Sequence, residues 1–188
     1  MRKLKLQMQI TVDSFVAGAN GELDWMVWDW DDELKNYVAD LTAPVDLILL
    51  GRNLANGFID AWDAQVDDPE TGEFARKMID TPKIVFSSSP APTEWKNTSI
   101  VTADLTEEIT KLKTADGGDI IVYGGAGFVS SLIENNQIDE YHLFVNPVAL
   151  GKGMTIFGEL EENLRLKLVN SKSFSCGIAA LRYEPNRN

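Results

Sequence analysis

The chain reads as an α/β protein: one mixed, mostly parallel sheet with helices on both faces and antiparallel strands toward the C-terminus. Two observations predict this class. Short apolar runs alternate with amphipathic stretches through the first two thirds of the chain, and the last third holds three strand-like segments with little helix between them.

Each element follows from its own pattern. Lys3 to Val12 alternates, with Leu4, Leu6, Met8 and Ile10 on one side, which predicts a half-buried strand. Ser14 to Asp24 carries Gly18, Asn20 and Gly21 and reads as a loop. Leu34, Tyr37, Val38 and Leu41 recur with helical spacing, and Pro44 ends that helix. Val45 to Leu50 is nearly all apolar, as expected of a strand covered on both faces, and Gly51-Arg52 terminates it. Asp63 to Gly72 is acidic and loop-like, and Phe74, Ala75, Met78 and Ile79 predict a second helix that stops at Thr81-Pro82. Lys83 to Phe86 and Ile100-Val101 are short strands. Asp104-Leu105-Thr106-Glu107 resembles a capping box opening a helix that Gly117-Gly118 closes. Asp119 to Tyr123 is a strand, Gly124 to Gly127 a turn, and Phe128, Val129, Leu132 and Ile133 a helix face. Glu140–Asn146, Leu164–Val169 and Gly177–Tyr183 are the closing strands. No repeat or linker divides residues 1–188, so a single domain is expected.

Composition narrows the function classes. Lys and Arg number 17 against 29 Asp and Glu, a formal net charge of −12, which argues against nucleic-acid and anionic-membrane partners. A single cysteine, Cys176, allows no intrachain disulfide and fits a reducing compartment. No apolar leader or membrane-length run is visible, so a cytoplasmic protein is expected. With one histidine, His142, and one cysteine, no metal site is expected; mid-strand, His142 reads as a packed residue.

The chemistry gathers at strand ends. Ile120 to Phe128 runs from a buried strand through Tyr123, Gly124, Gly125, Ala126 and Gly127 into a helix. Glycines admit close approach by a ligand, and a helix N-terminus offers unpaired N–H groups to an anion such as a dinucleotide pyrophosphate. Its spacing is not that of a Rossmann fingerprint. Gly51, Arg52 and Asn53 end a second buried strand with a guanidinium suited to phosphate, although an isolated Gly-Arg is more commonly a surface ion pair. Ser87 and Ser88 follow a third strand with small hydroxyl donors. The Asp13 to Trp25 loop has the composition of a lid, and Trp25 can line a flat heterocycle or simply pack. Asp31, Asp32 and Glu33 suit a helix N-terminus electrostatically, and one of them can also face a pocket.

Several stretches together resemble a known family. Thr11-Val12-Asp13-Ser14-Phe15-Val16-Ala17 resembles the SLDGFIA opening of the dihydrofolate-reductase-like proteins. It is closer still to the C-terminal reductase domain of the bifunctional riboflavin-biosynthesis deaminase-reductase and its stand-alone relatives. Leu50-Gly51-Arg52-Asn53 with Gly57-Phe58 resembles LGRxTxxGF, and Val122 to Ala126 resembles VxGGA. Ile138 to Tyr141 with Pro147 to Gly153 and Ile156-Phe157 resembles LIDELxLxxxPVxLGxGxxLF. Ser14 stands where the family has Gly, and Leu54 where Thr is common. The resemblance implies a dihydrofolate-reductase-like fold and NADPH-dependent hydride transfer to a small heterocyclic or sugar-imine substrate, as in the phosphoribosylaminouracil reductase step of riboflavin synthesis. Dihydrofolate reductase activity and a non-catalytic nucleotide-binding module are the alternatives. The implied cofactor contacts are Val12, Gly51, Arg52, Asn53, Ser87, Ser88, Tyr123, Gly124, Gly125, Ala126, Gly127 and Phe128. Asp13, Trp25 and Phe58 would meet the substrate, Asp32 or Glu33 would supply the proton, and a homodimer is the implied assembly.

Overall fold

In a computed structural model, residues 1–89 and 95–186 are described. They form strands β1 (Leu4–Thr11), β2 (Val45–Gly51), β3 (Lys83–Phe86), β4 (Thr98–Val101), β5 (Asp119–Gly124), β6 (Glu140–Asn146), β7 (Leu166–Ser173) and β8 (Ala179–Pro185). The helices are α1 (Asp32–Thr42), α2 (Arg52–Asp63), α3 (Gly72–Asp80), α4 (Leu105–Thr114) and α5 (Ala126–Glu134). The strands make one sheet in the order β4-β3-β2-β5-β1-β6-β8-β7. β4 through β6 run parallel, and β8 and β7 are added antiparallel. The mixed sheet with an antiparallel C-terminal edge is therefore as the sequence predicts.

One face of the sheet carries α4 and α5. There Leu4, Leu6 and Met8 pack with Ile120 and Val122, Ile109 of α4, and Val129, Leu132 and Ile133 of α5. The other face carries two apolar clusters. Leu34, Val38 and Leu41 of α1 pack on Phe144, Phe174, Ile178 and Ala180, while Ala55 of α2 and Met78 of α3 pack on Ile48, Leu50, Val85 and Ile121. Phe74 of α3 packs against both clusters.

Two departures from the sequence reading bear on function. β1 is not half-buried: it lies between β5 and β6, its second face is covered, and Lys5 and Gln7 are each only 7% exposed. Its alternation separates an apolar face from a polar but buried one. The other departure is α2, which occupies Arg52–Asp63 where the sequence reading ends a strand and places no helix. Leu54, Ala55, Phe58, Ile59 and Trp62 carry its helical period, and Gly57 and two asparagines mask it. β7 and β8 also start two residues later than expected.

Four of the five helix starts fall into two chemical groups. α1 and α4 begin on aspartates whose side chains accept backbone N–H bonds, Asp31 from Leu34 (2.8 Å) and Asp104 from Glu107 (3.0 Å). Both have acidic first turns, which complement the helix dipole. α2 and α5 begin on Gly51 and Gly125, with no side-chain cap and no acidic residue in the first turn.

Candidate functional site

The two glycine-capped starts lie side by side at the carboxyl ends of the adjacent strands β2 and β5. Gly124 and Gly125 have φ of +143° and +25°, values that disfavour any side chain, and they fold the chain sharply from β5 into α5. A Cβ on Gly51 would stand 2.8 Å from Phe128 Cβ, and one on Gly125 would lie 3.8 Å from Gly51 Cα. The two turns are thus in near backbone contact, and two sets of unpaired first-turn N–H groups emerge together. Leu54 packs over Gly124, its Cδ2 3.2 Å from where a Cβ would stand. Phe128 stacks on Phe86 at 4.9 Å and joins the end of β3 to this corner.

Arg52, the first residue of α2, supplies the cation. Its guanidinium carbon stands 5.1 Å from the centroid of the Trp95 ring, and its Nη1 is buried without a hydrogen-bond partner among the described residues. An uncapped double helix start beside a guanidinium with a spare buried N–H donor is suited to a phosphate-bearing ligand. Ser87 follows Phe86, the register partner of Gly51, and its hydroxyl donates to the Ser89 carbonyl (2.8 Å). Ser88 and Asn53 are exposed at the same edge. Gly51, Leu54, Phe86 and the Gly124 to Phe128 segment thus come together. A surface cavity of about 810 Å³ against Phe157, Leu160, Glu161 and Glu162 shares no residue with this corner.

The remaining expected residues go elsewhere. The Asp13 carboxylate accepts from the Thr11 hydroxyl (2.6 Å) and the N–H groups of Gly151 (2.7 Å) and Leu150 (3.2 Å), which hold its pKa below the ordinary carboxylate range. It fastens the loop after β1 to the turn after β6. Further bonds pin that loop, including Val16 N–H to Met154 O, Val12 N–H to Val148 O and Val27 N–H to Asn146 Oδ1. Ser14 has φ of +70°, which explains a glycine in the resembling family. Val12 is exposed, and Trp25 is half-buried with its indole N–H on Glu22 O (3.1 Å). Asp32 and Glu33 are exposed, and Glu33 pairs with Lys172 (2.9 Å) on β7, at the far edge of the sheet. The carboxylate of that segment that shapes the fold is Asp31. Besides capping α1, it accepts from Ser175 Oγ (2.6 Å) and Cys176 N (3.2 Å), contacts that lower its pKa. Phe58 packs on Tyr123, ring centroids 5.2 Å apart.

Sequence reasoning missed Trp95 and the polar lining of the sheet. Glu140 is buried and bonded by His142 Nε2 (3.0 Å), Lys3 Nζ (2.6 Å) and Arg182 Nη2 (3.0 Å). The bond from His142, then that from Lys3 and the charge of Arg182, hold its carboxyl down to about 2. The available signal was the polar alternation of Glu140 and His142 within the otherwise apolar run of β6.

This architecture is that of the dihydrofolate-reductase-like α/β proteins. Comparison with a solved dihydrofolate reductase from Enterococcus faecalis, crystallised with NADP(H), gives a TM-score of 0.60 at 15% identity, covering 98% of this chain and 96% of that one. More narrowly, the chain belongs to the RibD C-terminal domain family, whose model matches residues 2–180. The Bacillus subtilis protein YyaP is 33% identical over 190 residues, covering 98% of this chain and 96% of YyaP. The Thermotoga maritima diaminohydroxyphosphoribosylaminopyrimidine deaminase/5-amino-6-(5-phosphoribosylamino)uracil reductase shares the fold with a TM-score of 0.68 at 18% identity, over 98% of this chain and 56% of that enzyme.

Proposed function

We propose that this protein is an NADPH-dependent reductase of a small nitrogen heterocycle or sugar imine. One observation carries the reading: α2 and α5 start on touching glycines without side-chain caps or acids, beside an Arg52 Nη1 that is buried and unpaired among the described residues. The α5 start would hold the pyrophosphate, and Arg52 with Ser87 would hold the adenosine-side phosphate that distinguishes NADPH from NADH. NADPH, when bound, supplies the hydride. The protein's share is orientation and exclusion of water. The pinned loop after β1 and the aromatic pair Phe58 and Tyr123 supply walls for a flat acceptor. The family and the NADP(H)-bound fold relative support this reading.

Fluorescence titration tests it. The wild type should bind NADPH in the micromolar range or tighter, and no binding at high micromolar concentration refutes the reading. Arg52→Ala should weaken NADPH by about tenfold to a hundredfold, the loss of a charge-assisted contact of about 1.5–3 kcal/mol, with little effect on NADH. Equal losses would remove Arg52 from the phosphate.

A further inference from the structure

The Arg52 guanidinium is held by a ring and not by a carboxylate. Its carbon stands 5.1 Å from the centroid of Trp95, and it forms no ion pair among the described residues. Asp and Glu outnumber Lys and Arg 29 to 17 in this chain, so composition alone would offer Arg52 a carboxylate. The difference has a chemical consequence. A carboxylate neutralises the cation it holds, whereas an aromatic face attracts it through the ring quadrupole and leaves the positive charge in place.

Trp95 stands on fixed ground. It packs, half-buried, against the apolar cluster of Ile48, Leu50, Ala55, Met78 and Val85 beneath α2 and α3. The two residues after it are tied to the end of α3 and the start of β3. Lys96 Nζ pairs with the Asp80 carboxylate (2.8 Å), Asn97 Nδ2 donates to Asp80 O (3.1 Å), and Lys83 N–H donates to Asn97 O (2.7 Å). A ring anchored in this way limits the rotamers open to a long Arg side chain and lowers the entropy lost when that side chain takes a ligand.

The face and the edge of a guanidinium serve different partners. Stacking uses the face, while all the N–H donors lie in the plane and point outward from the edge. Nη1 belongs to that edge, and it is buried without a partner among the described residues. Arg52 is also the first residue of α2, which starts on Gly51 without a side-chain cap. The held cation and the unpaired first-turn N–H groups therefore come from the same turn, the combination a phosphate dianion binds best.

We infer that Trp95 is a positioning residue for the cofactor: its ring holds Arg52 by the face, keeps the charge uncompensated, and so sets the preference for NADPH over NADH. The inference rests on the reductase reading and adds the residue that governs cofactor choice through Arg52.

The test measures the affinities of NADPH and NADH for the full chain by fluorescence titration. Trp95→Leu keeps apolar bulk over the cluster and removes the ring. It should weaken NADPH about tenfold, the size of a partly desolvated cation–π contact, and leave NADH within about twofold. Trp95→Phe restores a ring and should keep NADPH within about threefold of wild type. Arg52→Ala combined with Trp95→Leu should bind NADPH no more weakly than Arg52→Ala alone, because the ring acts only through the guanidinium. Trp95→Met repeats the measurement if Trp95→Leu does not fold. Equal losses of NADPH and NADH would make Trp95 a packing residue and overturn the inference. So would additive losses in the double variant, or an NADPH affinity that holds or rises when the ring is removed. A wild type that binds NADPH, with Trp95→Leu unchanged, overturns this inference and leaves the reductase reading standing. A wild type that does not bind NADPH overturns the reductase reading, and this inference with it.

Discussion

Substituting Gly51 by alanine separates the geometry of the paired helix starts from every other feature of the site. Gly51 has φ −75° and ψ 147°, which alanine adopts without strain, so the whole effect comes from the added methyl group. That methyl would stand 2.8 Å from Phe128 Cβ. Carbon atoms in contact sit about 3.5–4.0 Å apart, so α2 and α5 must separate by roughly 0.7 Å or more at their N-termini. A Cβ cannot swing away by changing rotamer, so the helix itself has to move. Overpacking of this kind costs about 1–3 kcal/mol of stability. Displaced amides would also lose a charge-assisted hydrogen bond, so NADPH affinity should fall about tenfold to a hundredfold. Denaturant unfolding and NADPH fluorescence read the two effects on the same sample. Gly57→Ala is the internal control: it lies in α2 with nothing within 4 Å of its new methyl, and should stabilise by about 0.5–1 kcal/mol without changing NADPH binding. If Gly51→Ala is destabilised as expected yet binds NADPH within twofold of wild type, the paired helix starts do not hold the cofactor.

Two further outcomes follow from the polar contacts. Asp31→Ala removes the α1 cap and its bonds to Ser175 and Cys176, and should cost about 1–2 kcal/mol in denaturant unfolding with little change in NADPH affinity. Glu140 is held down to about 2 from an ordinary 4.5, so its contribution is complete above pH 4.5 and is lost as pH falls toward 2. That shift corresponds to on the order of 3 kcal/mol. Glu140→Gln should therefore lower stability at neutral pH and flatten acid unfolding across that window; an unchanged acid profile would show that Glu140 does not carry it.

The glycine turns at the ends of β2 and β5 stand where the sequence places them. A buried strand that breaks into glycine before an amphipathic stretch is a local pattern, and local patterns survive folding. The helix over Arg52–Asp63 escaped because Gly57, Asn53 and Asn56 depress helix propensity, and packing of Ala55 and Ile59 on the sheet overrides them. Asp32 and Glu33 show the limit of reading a first-turn carboxylate. Both face outward, and Lys172 on β7 takes Glu33.

Sequence alone determined the α/β class, most strand and helix positions, and the glycine turns at two strand ends, because residue period and backbone freedom are written along the chain. Tertiary structure decided that β1 sits at the centre with both faces covered. That single placement turns Lys5 and Gln7 from the expected open face of a half-buried strand into buried polar side chains. Burial is a property of neighbours in space, and the strands that flank β1 come from more than a hundred residues further along the chain.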